Sequence, residues 1–301
     1  MAQLQSTAND IFETKFADSI YELTTQTAAR TRPAAELVQM TAESMMIPRA
    51  GSVEAQDMSD KFPEAVPQDL AWDNRRLTTT RVGVVFFMDE WDKMRMMGDP
   101  ENVMARRAAQ ALERKFDRIF IASLTAPAWT GKLGNIAVTA AVDGVVNVNA
   151  LGGFTYDTLL QINQNFQAQE IGNESPVRKF LFISEQEQAK LMREGMLTSR
   201  DFTDRMVVDK GKITHVLDFE VIVFGSGINF PMLPLNQAQT QRTCFAIAQG
   251  GVRIGISRKW TPKKSDRNDR VDTEQMIVTG ILGGARIEAN RVQTITTTVG
   301  Q

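Results

Sequence analysis

The feature that most constrains this chain is a long amphipathic helix set behind almost a hundred residues with little capacity to form a core. The spacing predicts the helix over Asp99–Ser123. Asp99 suits the N-cap, Pro100 the first helical position, and Glu101 the positive helix end. Ala105, Ala109, Leu112, Phe116, Ile119 and Phe120 recur at helical spacing as one apolar stripe. Arg106, Arg107, Gln110, Glu113, Arg114, Asp117 and Arg118 cover the other faces. At a rise of about 1.5 Å per residue, the rod is about 37 Å long. Ahead of it, no aromatic residue occurs between Tyr21 and Phe62. A chain of that composition is ordered by packing on another body, and a second copy of itself is the expected one. That argues for assembly rather than catalysis.

The 301 residues suffice for one large domain or two modest ones. A net charge of -2 argues against nucleic acid as the main ligand. No apolar run approaches the roughly 20 residues a membrane span needs, so no membrane contact is expected. The opening MAQLQSTANDIFETKF lacks the basic and apolar regions of a secretory signal. Cys244 is the only cysteine, which excludes an intrachain disulfide and a thiolate metal cluster and fits a reducing cytosol. His215 is the only histidine, which excludes a His-rich metal site.

Residues 9–28 read as a short amphipathic helix, with Phe12, Phe16, Ile20 and Leu23 on one face. Residues 29–75 hold Pro33, Pro48, Pro63 and Pro67 and read as extended or looped. Glu43–Ile47 and Arg76–Asp89 are expected strands, forming a long hairpin across about 28 polar residues. Such a loop is abnormal inside a compact domain and reasonable as an arm reaching a neighbour. Deleting residues 40–75 should therefore leave a folded, assembly-deficient subunit. Gly83 and Gly98 are expected hinges. Residues 126–152 read as a loop with short strands. From 153 the texture is α/β. Thr155 opens a helix to about Gln169 that Gly172 closes, Lys179–Ile183 is a buried strand, and Ser184 with Glu187 forms a capping box. Phe219–Phe224 is a strand stopped by Gly225-Ser226-Gly227, and residues 228–241 are a loop. Thr243–Ala248, Val252–Ile256, Met276–Gly280 and Ala285–Ala289 are expected strands, with Lys263–Asp272 a charged turn and a Thr-rich tail at the end.

Few residues suggest chemistry. Asp89, Glu90 and Asp92 have the oxygen ligands of a hard cation site, but pairing with Arg or Lys is the favoured reading. Asp266–Arg270 lacks the Gly and distal Glu of a calcium loop. Gly225-Ser226-Gly227 follows a strand without any phosphate-loop signature. Cys244 suits a buried hydrophobe better than a nucleophile, and His215 has no partnered Ser or Cys motif. No catalytic, cofactor-binding or metal residue is assigned, and no cofactor is implied. Arg106, Arg107, Arg114, Lys115 and Arg118 are interleaved with Glu113 and Asp117, so helix-surface ion pairs come before a weak face for packaged nucleic acid. Nine of the fifteen Met residues fall between 40 and 104, which fits both adaptable docking and ordinary core filling.

Several runs, in this order, resemble the major capsid protein of tailed bacteriophages with the Hong Kong 97-type fold. They are Phe12–Phe16, Arg75–Thr79, Val84–Asp92, Met94–Pro100, the helix end Phe116–Ala122, Gly153–Leu160, Lys179–Ser184, Leu217–Val223 and Gly283–Ile287. The resemblance implies an α+β fold with an N-terminal arm (1–38) and an extended β-hairpin loop (39–82). A peripheral domain (83–150) would carry the spine helix 99–123. An axial domain (151–249) and a return to the peripheral domain (250–301) would complete the chain. It also implies self-assembly into hexamers and pentamers of an icosahedral shell around a double-stranded DNA genome, and no enzyme activity. A separate scaffolding protein, a portal, a decoration protein and non-specific contact with packaged DNA are the implied partners. Assembly in the host bacterial cytoplasm and residence in the virion follow. The alternative is an encapsulin-like nanocompartment shell enclosing cargo enzymes. Asp218 stands where related chains often have Gly, which implies a differently shaped turn.

Overall fold

A computed structural model describes residues 26–55, 67–89, 100–173, 176–193, 208–209, 212–227, 232–267, 269 and 273–299. Residues 9–25 of the expected helix at 9–28, with Asp99, Gly98, Glu90 and Asp92, lie outside the described residues, and residues 26–28 are not helical. In chain order the elements are β1 (Glu36–Gln39), β2 (Ser44–Ala50), β3 (Trp72–Thr78), β4 (Thr80–Asp89), α1 (Pro100–Thr125), β5 (Ala128–Thr130), β6 (Ile136–Val138), α2 (Ala140–Asp143), β7 (Val146–Ala150), α3 (Tyr156–Ala168), β8 (Lys179–Ser184), α4 (Glu185–Arg193), β9 (Val208–Asp209), β10 (Lys212–Ile213), β11 (His215–Val216), β12 (Phe219–Phe224), β13 (Gln241–Ala248), β14 (Val252–Asp266), β15 (Thr273–Arg286) and β16 (Val292–Thr298). They form two compact units. The smaller is built around Val82–Arg114 and Trp260–Gly280, the larger around Ala29–Arg81, Lys115–Lys259 and Ile281 onward.

The core of the larger unit is a six-stranded mixed sheet in the order β11-β12-β8-β13-β16-β7. Every residue of β8, KFLFIS, is buried, as expected of a strand covered on both faces. On one face Phe182 meets Phe120 of α1 edge-on at 5.8 Å and Phe224 at 6.1 Å. On the other, Phe219 lies 6.0 Å from Phe166 of α3. Gln293 on β16 fastens α3 by donating to Ile162 O at 3.1 Å and accepting from Asn165 at 3.2 Å. The Thr-rich tail is therefore an inner strand, β16, between β13 and β7, with Val292, Gln293, Ile295 and Thr297 buried. Threonine's β-branch suits that position.

The buried stripe of α1 runs Ala108-Leu112-Phe116-Phe120-Leu124, with Ile121 also buried, while Ala109 is exposed. Asp117, expected on the polar face, is completely buried. The capping box holds: Ser184 N donates to Glu187 Oε2 at 3.0 Å, and Gln186 N donates to Ser184 Oγ at 3.2 Å. Gly172 does not close α3. Glu170 takes the left-handed position at φ 58°, with Ile171 N bonded to Phe166 O at 3.0 Å and Glu170 N to Gln167 O at 3.0 Å, a Schellman ending made by a non-glycine residue. In the two-residue turn between β11 and β12, Leu217 has φ 52°, and Asp218 pairs with the buried Lys179 at 3.0 Å, a bond no glycine makes.

The expected second strand of the hairpin is two strands, β3 and β4, interrupted at Thr79, whose amide turns to Glu43 O at 2.9 Å. Conversely, the expected strands at 276–280 and 285–289 are one continuous strand, β15. Gly283 does not break it; a Cβ there would lie 1.9 Å from the Thr78 carbonyl oxygen, so the glycine permits a close backbone approach. β14 continues to Asp266, which leaves the charged turn after that residue, closed by Arg267 N to Thr273 O at 2.9 Å. Gly83 sits inside β4, where a Cβ would meet the Thr279 methyl at 2.7 Å; its place is that of a packed strand residue and not of a free hinge. In the smaller unit, Ala108, Leu112 and Val278 are buried against Val84, Phe86 and Trp260.

Glu187, Arg242, Ser184 and Thr297 form a buried polar group under the sheet. Burial alone would raise the Glu187 pKa. Hydrogen bonds from Ser184 and Thr297 and the charge of Arg242 outweigh it, holding the carboxyl below its ordinary value. A depressed folded pKa gives stability that is present above the unfolded value, about 4.3, and lost as pH falls through the folded one. Glu187→Gln should flatten that acid limb of a denaturant-stability profile and lower stability at pH 7 by about 3–5 kcal/mol. Gly283→Ala should destabilise by about 1–3 kcal/mol through overpacking. Gly225→Ala, where an added Cβ has nothing within 4 Å, should stay within about 0.5 kcal/mol of wild type in the same titration.

Candidate functional site

The residues considered for catalysis are not brought together. Cys244 is sealed in β13, and burial pushes its thiol pKa up well beyond the reactive range. His215 is exposed on the edge strand β11, in register with Glu220. Asp89 ends β4 and is exposed. The amide of Ser226 donates to the Glu185 carboxylate at 2.9 Å, so the Gly225–Gly227 loop presents an occupied donor and a nearby negative charge, the reverse of a phosphate cradle. Among the described residues, no group of three or more His, Cys, Asp and Glu side chains is placed to hold a metal ion. No described helix is long and apolar enough to cross a membrane. On α1, Arg107 donates to Gln110 at 3.1 Å and Arg114 to Gln26 O at 3.5 Å.

What the chain does present is an apolar sheet face. β2 and β3 pair antiparallel from Ser44↔Thr78 to Ala50↔Trp72, and β5 and β6 extend them into a sheet of order β2-β3-β5-β6. One face is turned inward: Ile47 and Leu77 join Met40 and Ile287 in a buried cluster. The row Met46↔Arg76↔Trp129↔Ala137 lies on the opposite face. Trp72 there is 72% exposed and Trp129 44%, with Met46 exposed as well. This face is the candidate interaction surface among the described residues. The methionines divide between the two readings open to them: Met40 and Met88 are buried, Met45 and Met46 exposed.

Two buried carboxylates fix what leaves this unit. Asp117 on α1 accepts from Arg30 N at 3.1 Å, Thr31 N at 3.0 Å and Thr31 Oγ1 at 2.7 Å. Arg32 stacks over Phe116 at 5.2 Å and Arg30 over Phe224 at 5.9 Å. Asp143, at the end of α2, bonds both Arg75 and Arg286. Helical periodicity cannot separate Asp117 from the solvated charges around it. Arg75 and Arg286 each lie inside a run that carries the capsid resemblance, Arg75–Thr79 and Gly283–Ile287, yet nothing local in those runs names Asp143 as their common partner.

A family model described as phage capsid protein matches residues 8–299. The chain belongs to that family. No curated protein matches the sequence. Among solved structures, it is similar to the capsid of Helicobacter pylori bacteriophage KHP30, at 10% identity and a TM-score of 0.73, over 97% of each chain. It is likewise similar to the capsid of cyanophage P-SCSP1u, at 12% identity and 0.71, over 96% of this chain and 94% of that one. A Mycobacterium phage Che8 structure matches at 14% identity and 0.68, over 95% and 97%. The fold is thus the Hong Kong 97-type α+β capsid fold. The role of this capsid protein is structural: a major capsid protein of the virion that associates with further copies of itself. The family match favours the phage shell over the encapsulin-like compartment.

Asp117→Ala should leave the Arg30 and Thr31 amides unpaired in the interior, at about 1–3 kcal/mol. Trypsin should then cut after Arg30 faster in the folded subunit, while cleavage within the β8–β13 sheet stays as slow as in wild type.

Proposed function

We propose that this capsid protein builds hexamers and pentamers of an icosahedral shell enclosing a double-stranded DNA phage genome. The observation that carries the reading is the outward face of the hairpin sheet, where Met46, Trp72 and Trp129 are exposed. In this reading residues 1–38 are an N-terminal arm, 39–82 an extended loop laid across one neighbour, 83–150 a peripheral domain, 151–249 an axial domain around the capsomer axis, and 250–301 a return to the periphery. A separate scaffolding protein, a portal and a decoration protein complete the particle, which is assembled in the host bacterial cytoplasm. Contact with packaged DNA is non-specific, and the chain performs no catalysis.

The physics favours many modest contacts. A standard interface buries about 1,600 Å² in total, and several per subunit act together once a ring closes. Single contacts that break readily allow misplaced subunits to leave, while the closed shell persists kinetically.

Electron microscopy with light scattering, on protein expressed alone and with its neighbouring genes, tests the reading: shells tens of nanometres across or hexameric capsomers are expected, and a monodisperse monomer under both conditions overturns it. The role of the loop needs a cut narrower than residues 40–75, because Met40, Ile47 and Arg75 within that range are buried in the subunit itself. Gly51 N bonds Ala71 O at 2.8 Å, so residues 52–70 can be replaced by a two-residue Asn-Gly turn compatible with a hairpin. The shortened subunit should keep the thermal midpoint of wild type within a few degrees and yield no closed shells; normal shells from it would refute the loop's role.

A further inference from the structure

Three arginines gather at the root of the hairpin, and among the described residues two carboxylates meet them there. Arg49 on β2 bonds Asp73 and donates through Nη1 to Ile287 O at 2.7 Å. Arg75 on β3 bonds Asp143. Arg286, the last residue of β15, donates through Nε to the other Asp143 oxygen at 2.9 Å. Its Nη1 donates to Leu124 O at 2.7 Å and Ala126 O at 3.1 Å, capping the C-terminal end of α1. Arg75 and Arg286 are 2% and 1% exposed. Even so, Arg49 Nε, Arg75 Nε, Arg75 Nη1 and Arg286 Nη2 are buried with no hydrogen-bond partner among the described residues. Asp73 approaches Arg75 Nε only to 3.9 Å, too far for a hydrogen bond.

The two arginines on Asp143 do different work. Arg286 closes a helix end, which any folded form of the subunit requires. Arg75 closes nothing. It brings a third positive charge to two carboxylates, Asp143 and, as an ion pair at 3.9 Å, Asp73, and its Nε and Nη1 find no hydrogen-bond partner among the described residues. An apolar side chain of similar volume would leave Asp143 and Arg286 as a balanced pair and would serve folding as well or better. The apolar contacts at the same root, Met40, Ile47, Leu77 and Ile287, attract without direction. A guanidinium meeting a carboxylate is directional, because its donors lie in a fixed plane.

We propose that Arg75 is a positioning residue: its bond to the Asp143–Arg286 pair fixes the angle at which the hairpin leaves the larger unit, and hence the curvature of the shell built from it. The proposal rests on the reading of this chain as a shell subunit whose hairpin reaches a neighbour. Excess charge and unmet donors at the root are the signature of a site kept for geometry at the expense of stability.

The test compares Arg75→Met and Arg75→Lys with wild type by melting, amide hydrogen exchange of the unassembled subunit, and electron microscopy of the products. Arg75→Met should melt at or above the wild-type temperature. Exchange in Ser44–Ala50 and Trp72–Thr78 should quicken tenfold or more, with β8 and β13 unchanged, and shells should become broad in diameter or open. Lysine keeps the charge without the planar fork and should fall between the two. Should methionine prevent folding, the lysine variant is read by the same criteria. Wild-type exchange together with wild-type shells in the folded variants overturns the proposal. Loss of folding in both also overturns it, since Arg75 then serves stability. If wild type itself forms no shell, the shell reading fails, and the exchange result still decides whether Arg75 orients the hairpin.

Discussion

Directional bonds to buried carboxylates are the constraint on which the rest of the larger unit depends. A chain that projects segments with few core-forming residues cannot aim them by apolar contact alone, because such contact is indifferent to orientation. Asp117 gathers two consecutive amides and a hydroxyl from Arg30 and Thr31. Charge-assisted bonds of this sort are roughly twice as strong as neutral ones. They tie residues that contribute no aromatic packing to a helix whose stripe is otherwise Leu, Phe and Ala. Asp143 does the same for β3 through Arg75. Each projecting segment is thus loosely supplied with core and tightly supplied with direction.

Burial is correspondingly uneven. The six-stranded sheet is sealed by α1 on one face and α3 on the other, with Phe180, Phe182, Phe219, Phe224 and Phe245 all inaccessible to solvent. Full burial of one such side chain is worth about 1.5–3 kcal/mol, so this sheet can stand as the rigid element of the subunit. The buried cluster described in the smaller unit holds three residues, Ala108, Leu112 and Val278, while Val85 and Phe87 on β4 are about half exposed.

The fold class, the long helix, the buried strand Lys179–Ser184, the capping box and the hairpin were legible because each is written in local spacing or local chemistry. What was not legible depends on distant partners. Asp117 differs from Glu113 or Arg118 only in what lies opposite it, and Arg30 and Thr31 are 87 and 86 residues away. Gly283 and Gly284 read as a break, since glycine weakens an isolated strand; the carbonyl of Thr78 makes glycine necessary there instead. The closing threonines lack the apolar alternation of a strand, and only the pairing with β13 and β7 gives them a place. The capsid family was readable from the order of several weak runs, although none of those runs is a strict motif. The outward face of the hairpin sheet was half legible: an arm was expected, but Trp129, from a different part of the chain, joins it only through the β3–β5 pairing.

A face of Met46, Trp72 and Trp129 that docks a neighbour, as proposed above, has to do so without recruiting every exposed strand in its surroundings. β2 lies at the edge of its sheet and carries Pro48 in the middle of its pairing with β3. Proline offers no amide to an incoming strand, which disfavours growth of the sheet at that edge. Arg76 sits within the apolar row, so the patch is interrupted by charge. Docking is therefore directed to the face of the sheet, where the tryptophans lie, and away from its edge. A contact built that way is modest on its own and specific in orientation, the combination that lets a shell form reversibly and then hold by the number of its contacts.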